Sequence, residues 1–145
     1  MEKLLEINGL KSWYGLSQAL FDVNLEISQG EVVALVGRNG MGKSTTIRSI
    51  CGLINSYEGE IKFKNISIIN QPSYKIAQLG IGLVPEGRRA FTNLTVLENL
   101  SATAVEGEWT QEMVFHLFPK LAERKYQSAS TLSLSLIHIS EPTRP

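Results

Sequence analysis

The chain has 145 residues, 43% of them hydrophobic and 19% charged, which is ordinary globular usage, excludes a disordered chain and leaves room for one domain. Lys plus Arg (14) balances Asp plus Glu (14), so bulk charge offers nothing to nucleic acid. A single cysteine, Cys51, excludes a disulfide framework and a multi-cysteine zinc site.

The opening residues, Met1 to Glu6, lack the basic region and apolar core of a secretory signal. No run approaches the ~18 apolar residues of a membrane span, so the expectation is a cytoplasmic chain that meets a membrane only through a partner. Phe21, Val23, Leu25 and Ile27 alternate with polar residues and predict a half-buried strand, closed by a turn at Gln29-Gly30. Glu31 to Val36 is a short apolar run rich in β-branched residues, which predicts a fully buried strand of a parallel sheet. A glycine-rich turn follows. Ser44 to Ile50 then predicts a helix, with Gly52 and Asn55 as stop signals. Gly59 to Lys64 alternates again and predicts a strand. Ser73 to Gln78 predicts a short helix after Pro72, and Ile81 to Val84 a short buried strand before Pro85. Thr95 and Glu98 have the spacing of a capping box, with Val96, Leu97 and Leu100 as the apolar face behind it. Val114, Leu117, Phe118 and Leu121 have helical spacing that Pro119 should divide. Strands alternating with helices predict an α/β domain with a partly parallel sheet.

Gly37-Arg38-Asn39-Gly40-Met41-Gly42-Lys43-Ser44 fits G-x-x-x-x-G-K-[ST], the phosphate-binding loop. Glycines let the backbone curl until successive N–H groups point inward at phosphate oxygens. The following helix adds its unpaired N–H groups and the positive end of its dipole. Lys43 brings a point charge for the β- and γ-phosphates, the Ser44 hydroxyl a ligand for Mg²⁺, and Thr45 a contact for the α-phosphate. The candidate nucleotide-binding residues of the loop are Gly37, Asn39, Gly40, Gly42, Lys43, Ser44 and Thr45. His116 and Cys51 read as packing residues, because neither has ligand-type neighbours at metal spacing.

Beyond the loop, Val84-Pro85-Glu86-Gly87-Arg88-Arg89, Phe91, Leu94 to Leu100 (LTVLENL) and Leu117 to Arg124 (LFPKLAER) carry a resemblance. From Leu4 to Ser133 the chain resembles the N-terminal part of an ATP-binding-cassette ATPase. More narrowly, it is similar to the LivF-type ATP-binding subunits of bacterial branched-chain amino acid importers. The implied fold is a P-loop NTPase of the ABC nucleotide-binding type, N-terminal portion only: an antiparallel β subdomain plus an incomplete parallel core sheet with helices. Tyr14, in Trp13-Tyr14-Gly15, matches the aromatic residue that stacks on adenine. Glu86 stands where most cassettes have the Q-loop glutamine, and a carboxylate there keeps the capacity to touch Mg²⁺. The metal candidates are thus Ser44 and Glu86. The resemblance implies ATP and Mg²⁺ as cofactors. It implies two membrane permease subunits, a sister ATPase subunit in a head-to-tail dimer and, indirectly, an extracytoplasmic binding protein as partners. It places the protein on the inner face of the cell membrane, and no nucleic acid is implied.

After Ser133 the resemblance ends. Leu134 to Arg144 reads LSLIHISEPTR, which resembles the translation of a transposase-based sequencing-library adapter. The expected organisation is therefore a partial ABC ATP-binding domain over 1–133 and a non-native tail over 134–145, with His138 carrying no function. On this reading no catalytic residue is retained: the acidic-strand Asp, the Glu that acts on water and the switch His are absent, and the chain alone is inactive. Two alternatives stand beside the importer reading: a fragment that only binds ATP or does nothing, and a cassette for another cargo such as urea or lipopolysaccharide export.

Overall fold

The first strand, β1 (Lys3–Tyr14), has no plain alternation in its sequence. Leu5 and Ile7 point inward, and then the phase changes, so that Leu10 and Ser12 are the next buried residues. The change falls at Gly9, whose φ of +58° is left-handed backbone that glycine adopts without strain. A computed structural model describes residues 2–55, 57–87, 89–104 and 106–132; the tail reading from Leu134 on, His138 included, and Arg88 lie outside the described residues.

β1 pairs antiparallel with β2 (Ser17–Ser28) on one side and with β3 (Tyr57–Phe63) on the other. A two-residue turn at Lys64-Asn65, with φ of +50° and +62°, leads from β3 to the short β4 (Ile66–Ser67). The sheet order is β2-β1-β3-β4. β3 crosses the irregular point of β1 with Gly59, where a Cβ would lie 2.5 Å from the Gly9 carbonyl oxygen and 2.8 Å from that of Asn8. Only a residue without a side chain fits there.

β2 carries a matching irregularity. Leu10 faces Val23 but Lys11 faces Phe21, which leaves Asp22 as the extra residue of a bulge. The expectation that Phe21 joins Val23, Leu25 and Ile27 on the inner face is therefore corrected. A one-residue slip flips every side chain before it, so Phe21 is 69% exposed and Leu20 is buried at 3%. Asn24 ties the two irregular points together. It accepts the Gly9 N–H at 2.8 Å and donates to the Asp22 carbonyl at 3.3 Å.

Helices α1 (Lys43–Ile50) and α2 (Ser73–Gln78) fall where the sequence predicts them. α1 ends on Gly52 at φ +67°, with Leu53 N–H to the Arg48 carbonyl and Gly52 N–H to that of Ser49, the paired bonds of a Schellman motif. Gly52 also admits Ile76 of α2, whose Cδ1 lies 2.7 Å from where a Cβ would be. The core of this part is Leu5, Ile7, Leu10, Leu20, Ile61, Phe63, Ile68 and Ile76.

Two predicted strands are not strands. Glu31 to Val36 has no strand partner among the described residues, and Val32 (96%) and Val36 (88%) are open to solvent. Ile81 to Val84 is likewise unpaired, with Leu83 and Val84 exposed. A run apolar on all sides is buried only with strands on both edges and layers on both faces. Every described strand pair is antiparallel and lies within the four-stranded sheet.

The chain divides into two compact units between Leu83 and Val84. In the second, α3 (Val96–Ala102) begins with the predicted capping box: Thr95 Oγ1 accepts the Glu98 N–H at 3.2 Å and Glu98 accepts the Thr95 N–H at 2.8 Å. The next two amides are also satisfied, Val96 by the Gln127 carbonyl and Leu97 by that of Lys125. Asn99 clamps the preceding loop, accepting the Phe91 N–H and donating to the carbonyls of Phe91, Leu94 and Thr95. Pro119 divides the next helical stretch as predicted, into α4 (Gln111–Leu117) and α5 (Pro119–Glu123). Its inner side is Phe115, Phe118 and Leu121, and Leu117 is exposed. Val96, Leu121, Ala129 and Leu132 form the core, closed by a single 3-10 turn at Ala129–Thr131.

The Thr95 N–H, and after it the Thr95 hydroxyl, hold the Glu98 carboxyl below its ordinary value of 4.5. Because the folded value is the lower one, this support is present above the ordinary value and is lost as pH falls through the folded one. Thr95→Ala should cost the second unit about 1 kcal/mol at neutral pH. It should also flatten the acid limb of thermal stability; an unchanged acid limb contradicts the capping account. The exposed Val32–Val36 run should make the chain self-associate. Sedimentation should show Val32→Lys with Val36→Lys shifting the chain toward monomer, and a wild-type monomer with a sharp cooperative melt would contradict this.

Candidate functional site

The glycine-rich loop leaves the exposed Val32–Val36 run and enters α1 through Gly42, the N-cap, at φ +87°. Gly40 is also left-handed at +82°. The left-handed φ favours glycine at 42, and a Cβ there would lie 2.5 Å from Leu20 Cδ2, so the Leu20 side chain would have to shift. At Gly40 a Cβ meets nothing within 4 Å, so that side of the loop is open to a ligand.

Lys43 Nζ reaches back across the loop and donates to the carbonyls of Gly37 (2.6 Å) and Arg38 (2.7 Å). The one backbone hydrogen bond inside the loop among the described residues is Met41 N–H to the Arg38 carbonyl, 3.3 Å. α1 has no acidic residue in its first turn and no side-chain cap. The positive end of its dipole and its leading amides are thus left without a protein anion. Arg38 and Lys43 add positive charge, so the loop is built to receive an anion with several oxygens.

Ser44 is exposed at the start of the helix, and Thr45 lies on its buried side. Thr46, also buried, donates its hydroxyl to the Gly42 carbonyl at 2.9 Å, and Ser49 donates to that of Thr45 at 2.9 Å. These bonds brace the first two turns. The Ser44 hydroxyl keeps the open position that a hard cation beside phosphate oxygens needs.

Tyr14 is the last residue of β1, paired with Ser17 across the hairpin, and the residue is 48% exposed. Ala19 and Leu20 of β2 touch the Gly42 end of the loop. Leu20 is three positions along the strand from Ser17, roughly 10 Å at the usual rise. Tyr14 is therefore a free aromatic face at the end of the sheet that flanks the loop. Trp13, its neighbour, is partly buried.

Glu86 is exposed in a bend of the second unit, whereas Ser44 belongs to the first, and each is described within its own unit. No group of three His, Cys, Asp or Glu that could hold a metal occurs among the described residues. His116 is exposed in the last turn of α4. Cys51 is half-buried at the end of α1, and burial pushes its thiol up, away from the thiolate. No helix among the described residues is long and apolar enough to cross a membrane.

The place of Leu20 is not legible in the sequence. Alternation from Val23 backward predicts Phe21 inward, and only the Asn24 side chain two residues past Asp22 hints at a bulge. A cavity of about 330 Å³ between Gly52, Tyr57, Asn70 and Pro72 was also not legible; no charged side chain lines it.

The ABC transporter family model matches residues 20–139. The chain is 40% identical over 138 residues to the high-affinity branched-chain amino acid transport ATP-binding protein BraG of Pseudomonas aeruginosa, covering 90% of this chain and 58% of that one. It is 35% identical over 129 residues to a probable branched-chain amino acid transport ATP-binding protein LivF of Archaeoglobus fulgidus, covering 86% and 55%. Among solved structures it resembles an ATP-binding cassette described as a dimeric post-hydrolysis state bound to ADP and Pi. The TM-score is 0.74 at 25% identity, with 94% of this chain and 66% of that chain covered. The chain thus spans somewhat over half the length of the two curated relatives.

Proposed function

The chain belongs to the ABC transporter family of ATP-binding domains, and on that premise we propose that it binds MgATP for an importer of branched-chain amino acids. The observation that carries the proposal is Lys43, drawn across a glycine loop that opens α1 with no protein anion in its first turn.

Each residue has a separate task. The amides of Asn39 to Ser44 donate to the β- and γ-phosphate oxygens. Lys43 exchanges the Gly37 and Arg38 carbonyls for those oxygens, trading neutral acceptors for charged ones. The exchange keeps the ammonium hydrogen-bonded throughout, which lowers the cost of opening the site. Ser44 would be the ligand for Mg²⁺ beside the phosphates, and Glu86, a residue of the second unit, stays a metal candidate by its place in the motif alone. Mg²⁺, when bound, neutralises phosphate charge and fixes the γ-phosphate. Thr45 contacts the α-phosphate from the buried side. Tyr14 stacks on adenine.

In the whole protein, ATP binding and hydrolysis drive amino acid uptake through two permease subunits, with a sister ATPase subunit in a head-to-tail dimer. The subunit then sits at the inner face of the membrane, held there by the permeases. The names of BraG and LivF support this cargo. We assign no described residue to activation of the attacking water; this part of the cassette binds and positions. The partial domain is proposed to run over 1–133, with 134–145 as foreign sequence.

Lys43→Ala should weaken ATP binding about tenfold or more, the loss of charge-assisted hydrogen bonds worth roughly 1.5–3 kcal/mol. Calorimetric titration reads this directly, and unchanged affinity removes Lys43 from the phosphate site. Tyr14→Ala should cost roughly 1–3 kcal/mol of ATP affinity and leave inorganic triphosphate untouched. Equal losses for both ligands would remove the stacking role.

A further inference from the structure

We propose that Leu20 is a positioning residue for the phosphate loop, held under Gly42 by the bulge at Asp22. The inference rests on the nucleotide reading above and adds to it a residue that does not touch the ligand.

Leu20 is buried at 3% in the sheet core, beside residues of β1 and β3. Its Cδ2 lies 2.5 Å from where a Cβ on Gly42 would stand, with its Cγ at 3.9 Å and the Ala19 carbonyl oxygen at 3.4 Å. The left-handed cap of α1 is therefore seated on one methyl group of β2. Gly42 in turn receives the Thr46 N–H (2.8 Å) and the Thr46 hydroxyl (2.9 Å) on its carbonyl. A shift at Leu20 moves the point from which the first turn of α1 starts, and with it the amides that face the phosphates.

Leu20 occupies this place only because of the bulge. With regular alternation Phe21 would face inward and Leu20 outward. Asp22 absorbs the extra residue, and Asn24 holds it by bonding both the Asp22 carbonyl and the Gly9 amide. The hairpin register thus reaches the anion site where Leu20, beside the Ala19 carbonyl, meets Gly42. Coupling through such packed contacts is worth a few-fold to about thirtyfold in affinity.

The test uses the full chain, with ATP and inorganic tripolyphosphate as probes and a thermal melt as the folding control. Leu20→Val removes the Cδ atoms and keeps the core apolar. It should weaken both probes by the same factor, about tenfold. Gly42→Ala should weaken both further, since its Cβ enters Leu20. Combining the two should restore affinity relative to Gly42→Ala alone, because the methyl in the way is gone; the left-handed φ keeps the double variant below wild type. Leu20 acting only as core packing predicts the reverse, a double variant no better than Gly42→Ala, and that result overturns the proposal. If the Gly42 variants fail to fold, Leu20→Val decides alone: unchanged tripolyphosphate affinity overturns the proposal. A wild-type chain that binds neither probe overturns the nucleotide reading, and this inference with it.

Discussion

At Gly9 the backbone of β1 turns left-handed, and at the same level β3 passes with Gly59 close enough that a Cβ would overlap the Gly9 carbonyl. The rest of the first unit depends on this crossing. It lets β1 present Leu5 and Ile7, then Leu10 and Ser12, to one core despite the change of phase. It requires an answering bulge on β2, supplied at Asp22 and fastened by Asn24. The bulge turns Leu20 inward, and Leu20 seats the glycine at the head of α1. A constraint on two glycines of the sheet thus bears on where the loop amides lie.

The loop itself is arranged as an anion receptor whose charge is held in place by its own backbone. Lys43 rests on two carbonyls at 2.6 and 2.7 Å, which keeps its ammonium hydrogen-bonded and pre-aimed at the loop. Such preorganisation reduces the side-chain ordering that binding must otherwise supply. The second unit contrasts with this. At the head of α3 the leading amides are taken by Thr95, Gln127 and Lys125, so that terminus is closed to ligands and serves packing.

Much was legible in sequence where the cause is local. The loop is contiguous, and its glycines, Lys43 and Ser44 carry their chemistry in their spacing. The capping box at Thr95 and Glu98, the division at Pro119 and the stop at Gly52 each depend on residues within one or two turns. What stayed hidden depends on partners distant in the chain. β1 was unread because the phase change at Gly9 breaks its alternation. Phe21 and Leu20 exchanged places because a bulge is set by the neighbouring strand. Glu31 to Val36 and Ile81 to Val84 read as buried strands from composition, yet burial needs strands on either side, and the described strands pair elsewhere. Tyr14 is a half-exposed residue at the end of β1, and Glu86 is an exposed bend residue of the other unit; for both, sequence offered only a place in a motif.

The central claim is that ATP phosphates enter the loop and displace the Lys43 contacts. The most direct measurement is an amide-resolved NMR titration of the chain with MgATP. The account predicts saturable shifts at Gly40, Gly42, Lys43 and Ser44, with the Gly37 and Arg38 surroundings changing as the ammonium leaves their carbonyls. Saturable shifts confined to residues outside Gly37–Thr45, or no shifts at all, would contradict it.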